Sequence, residues 1–319
     1  MKLYLGEAIT ITLKTMPYLL LRAGLYLLTG IFAIVYFAVI GGIAMLIGNK
    51  AGGLAAIIVL VATAGFIGIA RLLQKYVLYL FKAGHIAVIS HIIKSGSLPA
   101  GKGQVEFGKD FVKEKVKDVS ILFVVDRLVD GVLRSFNRTV ARITNWLPVP
   151  GMEGLGKLIN MVINFAVTFI DEAILSYSLV KEDDNLWRSA RTGVILYAQR
   201  WKTILLSSAI LGFVNWISFL VFFILLLIPT LLIASSDTVR LVGIIVAAIL
   251  AYLIRLSVVY PFAMTSIIIT YHREIEGVQP DAEWEGKLES LSGKFRELTK
   301  RAREAVAPRP EEGEAPDAL

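Results

Sequence analysis

Long apolar runs are the feature of this sequence that most limits its fold. Several of them reach about 20 residues or more, which is the length an α-helix needs to cross the hydrocarbon of a bilayer. Of the 319 residues, 56% are hydrophobic and only 18% are charged, a balance typical of membrane proteins rather than of soluble domains. The sequence therefore predicts an all-α, polytopic integral membrane protein whose first partner is the lipid bilayer.

Six runs are predicted to be transmembrane helices. They cover, approximately, residues 17–47, 54–81, 119–146, 155–180, 203–234 and 239–271. Short polar turns join them into three helical hairpins, so that residues 1–272 form a six-span transmembrane domain. Outside the spans, the sequence predicts a cytoplasmic helical connector at 95–118, a cytoplasmic amphipathic helix at 280–306 and a disordered tail at 307–319.

The distribution of Lys and Arg sets the expected orientation. Of the 33 basic residues, three, nine, five and eight fall in segments 1–22, 71–117, 181–202 and 273–309. Basic residues gather on the cytoplasmic side of a membrane, so both termini of this multi-pass cell-membrane protein are expected in the cytoplasm. With 155–180 counted as a span, that orientation requires 119–146 to cross as well. The alternative is an amphipathic helix that lies on the membrane surface.

The predicted third span, which contains FVVDRLVDGVLRSFNRTVARI (residues 123–143), carries many charges. Apolar residues repeat every three or four positions along one face. Another face carries acidic residues followed by basic ones, the favourable order for ion pairs along a helix: Asp126, Asp130, Arg134 and Arg138, with Arg127 beside Asp126. Because a charge in hydrocarbon costs several kcal/mol, this face must contact protein or water.

The predicted fourth span, LINMVINFAVTFIDEAILSYS, has a polar row of its own. Asn164, Thr168 and Glu172 are spaced by four residues, and Asp171 adjoins Glu172. The two polar faces are expected to meet, either as a closed ion-pair network or as the wall of a water-filled path. Arg255, in the last span, is a candidate partner for Asp171 or Glu172, or else a residue that snorkels to the interface. Lys82 is a second candidate partner for Asp171.

Two functional hypotheses follow from these charges. In the first, the protein is an oligomeric channel or transporter for ions or small polar solutes, with a path lined by the third and fourth spans. The candidate path residues are Asp126, Arg127, Asp130, Arg134, Arg138, Asn164, Thr168, Asp171, Glu172 and Arg255. In the second, the protein is a membrane scaffold or assembly protein, in which the charges form structural ion pairs and the tail recruits partners.

The sequence lacks the usual catalytic and cofactor motifs. It has no cysteine, which excludes disulfides and thiolate chemistry. GQVEFGKD (residues 103–110) has the glycine spacing of a phosphate loop, but Asp110 stands where Ser or Thr must hold magnesium. The chain is therefore expected not to be an enzyme and to use no cofactor or metal. Its net charge of +7 fits the cytoplasmic bias of basic residues and does not require nucleic acid.

The segment WEGKLESLSGKFRELTKRAREAV carries an apolar seam near the C-terminus. Its members alternate steps of four and three residues, the pattern of a coiled coil: Trp284, Leu288, Leu291, Phe295, Leu298, Ala302 and Ala305. Such a seam could join protomers of a homo-oligomer, dock on the protein's own cytoplasmic helices, or lie on the membrane.

Two stretches resemble the membrane region of choline transporter-like proteins. They are FIDEAILSYSLVKEDDNLWRSARTGVILYAQRWKTIL and YPFAMTSIIITYHREIEG, within about 110 residues of the C-terminal half. The layout is also similar to that of prokaryotic six-span membrane proteins. The resemblance implies a transport-type function, but it identifies no substrate and no binding residue.

Overall fold

The computed structural model describes residues 2–48, 51–73, 77–99, 101–115, 119–143, 156–181, 183, 185–233 and 236–305. Regular secondary structure within these ranges is entirely helical, which confirms the predicted all-α class. The predicted disordered tail at 307–319 lies outside the described residues.

The helices are numbered in chain order. The first seven are α1 (Leu5–Lys14), α2 (Met16–Gly48), α3 (Gly52–Leu73), α4 (Tyr79–Ser95), α5 (Gln104–Lys115), α6 (Val119–Ile143) and α7 (Gly156–Val180). They are followed by α8 (Leu186–Gln199), α9 (Trp201–Ile233), α10 (Asp237–Ile254), a π-helical segment (Arg255–Val259), α11 (Tyr260–Ile275), α12 (Ala282–Leu291) and α13 (Gly293–Glu304).

Two helical hairpins, α2–α3 and α9–α10, expose apolar side chains along most of their length. The buried residues of α2 are Tyr18, Leu19 and Arg22, all near its start, and those of α9 end at Ser218. Beyond these points most large apolar side chains are exposed. A continuous apolar surface of this extent needs lipid around it. We call the zone where burial gives way to exposed apolar surface the membrane boundary.

Four helical segments in the described part of the chain are long and apolar enough to cross a membrane, rather than the six predicted. They are Met16–Gly48, Gly52–Leu73, Trp201–Ile233 and Val239–Ile275. The last one joins α10 to α11 through the π-helical segment, which ends at Val259, two residues before Pro261. A proline removes a helical hydrogen bond and is a common cause of such irregularities.

The predicted spans at 119–146 and 155–180 are not among these four segments. They correspond to α6 and α7. The charges of α6 keep its average hydropathy low, and its apolar stripe is buried in protein: Leu122, Val125, Val129, Val132 and Phe136 are at most 2% exposed. Helix α7 is central to the bundle, since it packs against α4, α6, α8, α9 and α11. Protein therefore covers the apolar stripe of α6 and much of the described part of α7.

The helical bundle beside the membrane boundary contains the main core. In α4 the residues from Ala83 to Ser90 are buried, and in α11 the residues from Ala263 to Tyr271 are buried. Helix α5 lies within the predicted connector and packs along α4. Helix α8 begins at the N-cap Asn185, whose side chain accepts a hydrogen bond from the Arg188 backbone N–H at 3.1 Å.

The apolar seam of the tail docks on the protein's own helices, which was one of the three alternatives. Extended backbone at Ser292 divides the seam into α12 and α13, and both helices pack against α6 and α8. Leu288, Phe295 and Leu298 are fully buried, and the Trp284 ring lies 6.2 Å from that of Phe136. These seam residues are therefore used within the chain and are not presented for a coiled coil between protomers.

Gly108 allows α4 and α5 to approach closely. A methyl group at this position would lie 2.6 Å from the Gly84 carbonyl oxygen and would overlap the Tyr18 hydroxyl. We expect Gly108→Ala to destabilise the protein by about 1–3 kcal/mol, because neither the backbone of α4 nor the buried Tyr18 can move away cheaply. Thermal unfolding of the purified protein in detergent measures this.

The matched control is Gly286→Ala, in α12. A methyl group there meets nothing within 4 Å, and alanine favours the helix. We expect no loss of stability in this variant. Equal melting temperatures for the two variants would contradict the described α4–α5 contact.

Candidate functional site

A charged cavity of about 350 Å³ lies at the membrane boundary. Helices α2, α4, α6 and α7 supply most of its wall. The lining residues are Arg22, Tyr26, Leu78, Tyr79, Phe81, Lys82, Asp126, Arg127, Asp130, Arg134, Thr168 and Asp171. The volume is within the range of small-molecule sites, about 300–1,000 Å³.

Helices α2 and α4 bring cations into the cavity. Arg22 is the last buried residue of α2, and its guanidinium carbon lies 4.7 Å from the centre of the Tyr260 ring. This is a cation–π contact, which partly compensates for the lost hydration of the guanidinium. Lys82 follows Tyr79 by one turn of α4, so both side chains point towards the same wall.

Glu172 lies beneath the cavity wall, in contact with the lining residue Lys82, and does not itself line the cavity. It is fully buried, and its Oε1 atom accepts a hydrogen bond from the Tyr260 hydroxyl. The ammonium group of Lys82 lies 3.5 Å from the same oxygen. The other carboxylate oxygen, Oε2, is buried and has no hydrogen-bond partner among the described residues. Three helices, α4, α7 and α11, thus meet at one carboxylate.

A second ion pair lies along α6. The Nε atom of Arg134 donates to both carboxylate oxygens of Asp130, at 3.0 and 2.9 Å. A terminal nitrogen of Arg134 also donates to the Asn164 amide oxygen at 2.7 Å. The polar rows of α6 and α7 therefore face each other, and this contact fixes the rim of the cavity.

Asp126 differs from the other carboxylates in the cavity. The residue is 8% exposed, lines the cavity, and has a buried Oδ1 atom without a hydrogen-bond partner among the described residues. An unpaired buried acceptor costs about 1–3 kcal/mol, and more when the group is charged. Such a group in a native protein calls for an explanation, and one explanation is a ligand donor.

Positive and negative side chains are present in nearly equal numbers around the cavity. Four cations (Arg22, Lys82, Arg127 and Arg134) and three carboxylates (Asp126, Asp130 and Asp171) line the cavity, with Glu172 beneath. Burial raises the pKa of the Asp126, Asp171 and Glu172 carboxyl groups, although Lys82 favours their ionised forms. For Lys82, burial opposes protonation, but these three carboxylates outweigh it and raise its pKa.

The structure brings most of the predicted path residues together. Asp126, Arg127, Asp130, Arg134, Thr168 and Asp171 line the cavity, Asn164 holds Arg134, and Glu172 lies beneath. Two of the predicted path residues lie elsewhere in the structure. Arg138 is exposed and does not line the cavity. Arg255 donates from Nε to the Asn215 carbonyl oxygen at 3.0 Å, so its described partner is α9 and neither Asp171 nor Glu172.

Sequence reasoning missed Arg22, Tyr79 and Tyr260 as parts of the site. Of these three residues, only Arg22 could have been identified from the sequence, because a charge inside the first apolar run needs a partner. Lys82 was suggested as a partner of Asp171, and the structure gives it an ion pair with the neighbouring Glu172. Within the described ranges, no three His, Cys, Asp or Glu side chains are placed to hold a metal ion.

The all-helical fold and the four long apolar segments are those typical of helical integral membrane proteins. Comparison of the chain with protein-family models, with curated protein sequences and with solved structures gives no match. The resemblance to choline transporter-like proteins therefore stays a prediction from short motifs.

His85 lies behind the cavity and is sensitive to acid. Its ring stacks on that of Tyr18, with centres 4.7 Å apart, and both ring nitrogens are buried without partners in the described part of the chain. Burial, together with the charge of Arg22, lowers its pKa to about 3. The native state therefore holds the neutral ring, whereas the unfolded chain binds a proton below pH 6.5.

This difference predicts a loss of stability as the pH falls. Between pH 7 and pH 4, protonation of His85 in the unfolded chain alone removes roughly 3 kcal/mol. We expect His85→Phe, which keeps the ring stack and removes the titration, to lose less stability over this range than the unaltered protein. Unfolding in detergent at both pH values measures the difference, and parallel curves for the two proteins would rule out a neutral buried His85.

Proposed function

We propose that this protein is a membrane carrier whose solute-binding site is the charged cavity between α4, α6 and α7. The observation that carries the proposal is Asp126, a buried carboxylate that lines a cavity of ligand size and has one oxygen without a hydrogen-bond partner among the described residues. We favour a carrier over a channel, because the contacts of Glu172 with Lys82 and Tyr260 hold α4, α7 and α11 together next to the cavity.

The charges of the cavity favour a zwitterionic solute. Asp130 and Arg134 already neutralise each other, as do Lys82 and Glu172. Arg22 and Arg127 lie over the rings of Tyr260 and Phe123, and a ring-face contact leaves the edge of a guanidinium able to donate hydrogen bonds. These two cations suit a phosphate or carboxylate group, and Asp126 suits an ammonium group.

We further propose a four-span topology in place of six spans. The two hairpins would cross the bilayer, and α6 and α7 would remain on the side of both termini. The tail helices support this, because they cover the middle of α6: a methyl group added at Gly131 would lie 3.1 Å from the Lys294 side chain. The distribution of basic residues is satisfied as well, since omitting two spans leaves the parity unchanged.

Cysteine labelling tests the topology directly, because the chain has no native cysteine. We expect a membrane-impermeant maleimide added to intact cells to label Asp237→Cys, whose side chain is 99% exposed. It should not label Pro150→Cys or Ser290→Cys until the membrane is permeabilised. Labelling of Pro150→Cys in intact cells would show that α6 crosses and would overturn the four-span proposal.

Ligand-dependent stability tests the function. We expect glycerophosphoethanolamine, a soluble zwitterion, to raise the unfolding temperature of the purified protein, with about 2.7 kcal/mol gained at a concentration of 100 Kd. Ethanolamine and glycerol phosphate, which carry only positive and only negative charge respectively, should do less. Asp126→Asn should lose the response, and the exposed control Asp237→Asn should keep it.

Proteoliposomes containing the purified protein should then take up radiolabelled glycerophosphoethanolamine, and Asp126→Asn should not. Binding without uptake would contradict the carrier, and no response to the zwitterion would contradict the binding site.

The scaffold hypothesis is supported by contacts between helices, because the Lys82–Glu172 ion pair joins α4 to α7 and the hydrogen bond from Arg134 to Asn164 joins α6 to α7. In that case the charges serve folding alone, and no soluble ligand should change the stability of the protein. The docked tail gives this hypothesis less support, since its apolar seam is already covered by α6 and α8.

A further inference from the structure

A second cavity adjoins the charged one and has the opposite character. Its volume is about 330 Å³, and its wall comes from α2, α3, α10 and the π-helical segment. Apolar side chains predominate, among them Leu25, Phe66, Ile67 and Leu256. We call it the apolar groove. Tyr26 and Leu78 line both the charged cavity and the apolar groove, so the two spaces are neighbours.

The position of the apolar groove places it beside hydrocarbon. It lies between the α2–α3 hairpin and α10, in segments long and apolar enough to cross the membrane. Side chains on the outer surfaces of these helices, such as Leu28 and Leu72, are 64% and 58% exposed. A groove of this kind inside a bilayer is open to acyl chains rather than to water.

The charged cavity and the apolar groove therefore make one amphipathic space across the membrane boundary. We propose that the ligand is a zwitterionic phospholipid, whose phosphate and amine occupy the charged cavity and whose acyl chain lies in the apolar groove. The inference rests on the proposed function and names its substrate class. Two observations point to this ligand. On one side of Tyr26 the charges of the cavity complement a zwitterionic headgroup, and on the other side the apolar groove lies beside the hydrocarbon of the bilayer.

Tyr26 and Arg71 suit the junction between headgroup and chain. A tyrosine side chain favours the membrane interface, because its ring can contact apolar groups while its hydroxyl group contacts water. Arg71 lines the apolar groove near the end of α3, and its long side chain can reach a phosphate while its stem stays in apolar surroundings. A free zwitterion would use the cavity alone, and this difference separates the two ligand sources.

Three probes distinguish a phospholipid from its headgroup. Purified full-length protein in detergent is melted with dioleoyl phosphatidylethanolamine, with glycerophosphoethanolamine (the head alone), or with dioleoylglycerol (the chains without phosphate or amine). We expect the phospholipid to raise the unfolding temperature at least twice as much as either part at saturation. An increase no larger than that given by the head alone would overturn the inference and leave the proposed function intact.

A groove-filling variant provides the matched test. Ala70 lines the apolar groove, whereas Leu72 on the same helix faces outward and does not line it. We expect Ala70→Trp to remove at least three quarters of the phospholipid effect and to keep the effect of the head alone. Leu72→Trp should keep both effects. An unchanged phospholipid effect in Ala70→Trp contradicts the inference.

Failure of both the head and the phospholipid would refute the proposed function and the inference together. If Ala70→Trp does not fold, the smaller change Ala70→Leu is used, with the phospholipid that copurifies from the membrane measured by mass spectrometry. We expect at least a threefold lower molar ratio of lipid to protein than in Leu72→Trp, and equal ratios would overturn the inference.

Discussion

The cost of removing charge from water at the membrane boundary shapes this structure. Glu172 is fully buried and Asp126 is nearly so, and an isolated ion in such a place would cost several kcal/mol. Lys82, Arg22 and Tyr260 converge on Glu172 from three helices, and their charge and hydrogen bonds offset much of that cost. The same contacts fix α2, α4, α7 and α11 relative to one another. The position of the cavity therefore follows from the way the buried carboxylate is stabilised.

Asp126 stands apart among the carboxylates that line the cavity, although Glu172, which does not line it, also keeps one buried oxygen without a partner among the described residues. The other described carboxylates of the site accept hydrogen bonds: Asp130 from Arg134, Glu172 from Tyr260, and Asp171 from the backbone N–H of Glu172 at 2.8 Å. Asp126 keeps an unpartnered oxygen at the wall of the cavity. Proteins often accept lower stability at a site that binds a ligand.

Much of the site was predictable from the spacing of residues. Steps of four placed Asp126, Asp130 and Arg134 on one face of α6, and a matching row placed Asn164 and Thr168 on α7, so the meeting of the two faces followed from helical geometry. Arg22 and Tyr260 were not predictable in the same way. They are distant in sequence, and no periodicity within one helix indicates that the guanidinium of one stacks on the ring of the other. The same limit explains Arg255, whose partner is a backbone carbonyl that leaves no trace in the sequence.

The number of membrane spans shows a second limit of prediction from the sequence. Apolar length predicted α2, α3, α9 and α10 correctly as membrane-type helices, because their apolar surfaces extend all round. Helix α6 has an apolar stripe on one face only. Packing against other helices is enough to bury such a stripe, and α8, α12 and α13 pack against α6. The count of basic residues could not decide between four and six spans, because two spans together leave both ends on the same side. Two of the helices that pack against α6, α12 and α13, come from the tail, far along the chain.

The central claim is that Asp126 serves a ligand and does not serve folding, and the free energy of unfolding of Asp126→Asn tests it most directly. Burial raises the pKa of this carboxyl, so removing its charge without ligand present should leave the protein as stable as before or about 1 kcal/mol more stable. Asp130→Asn, which breaks the pair with Arg134, should destabilise it. A loss of about 2 kcal/mol or more in Asp126→Asn would show that the carboxylate is part of the structural network and would contradict this account.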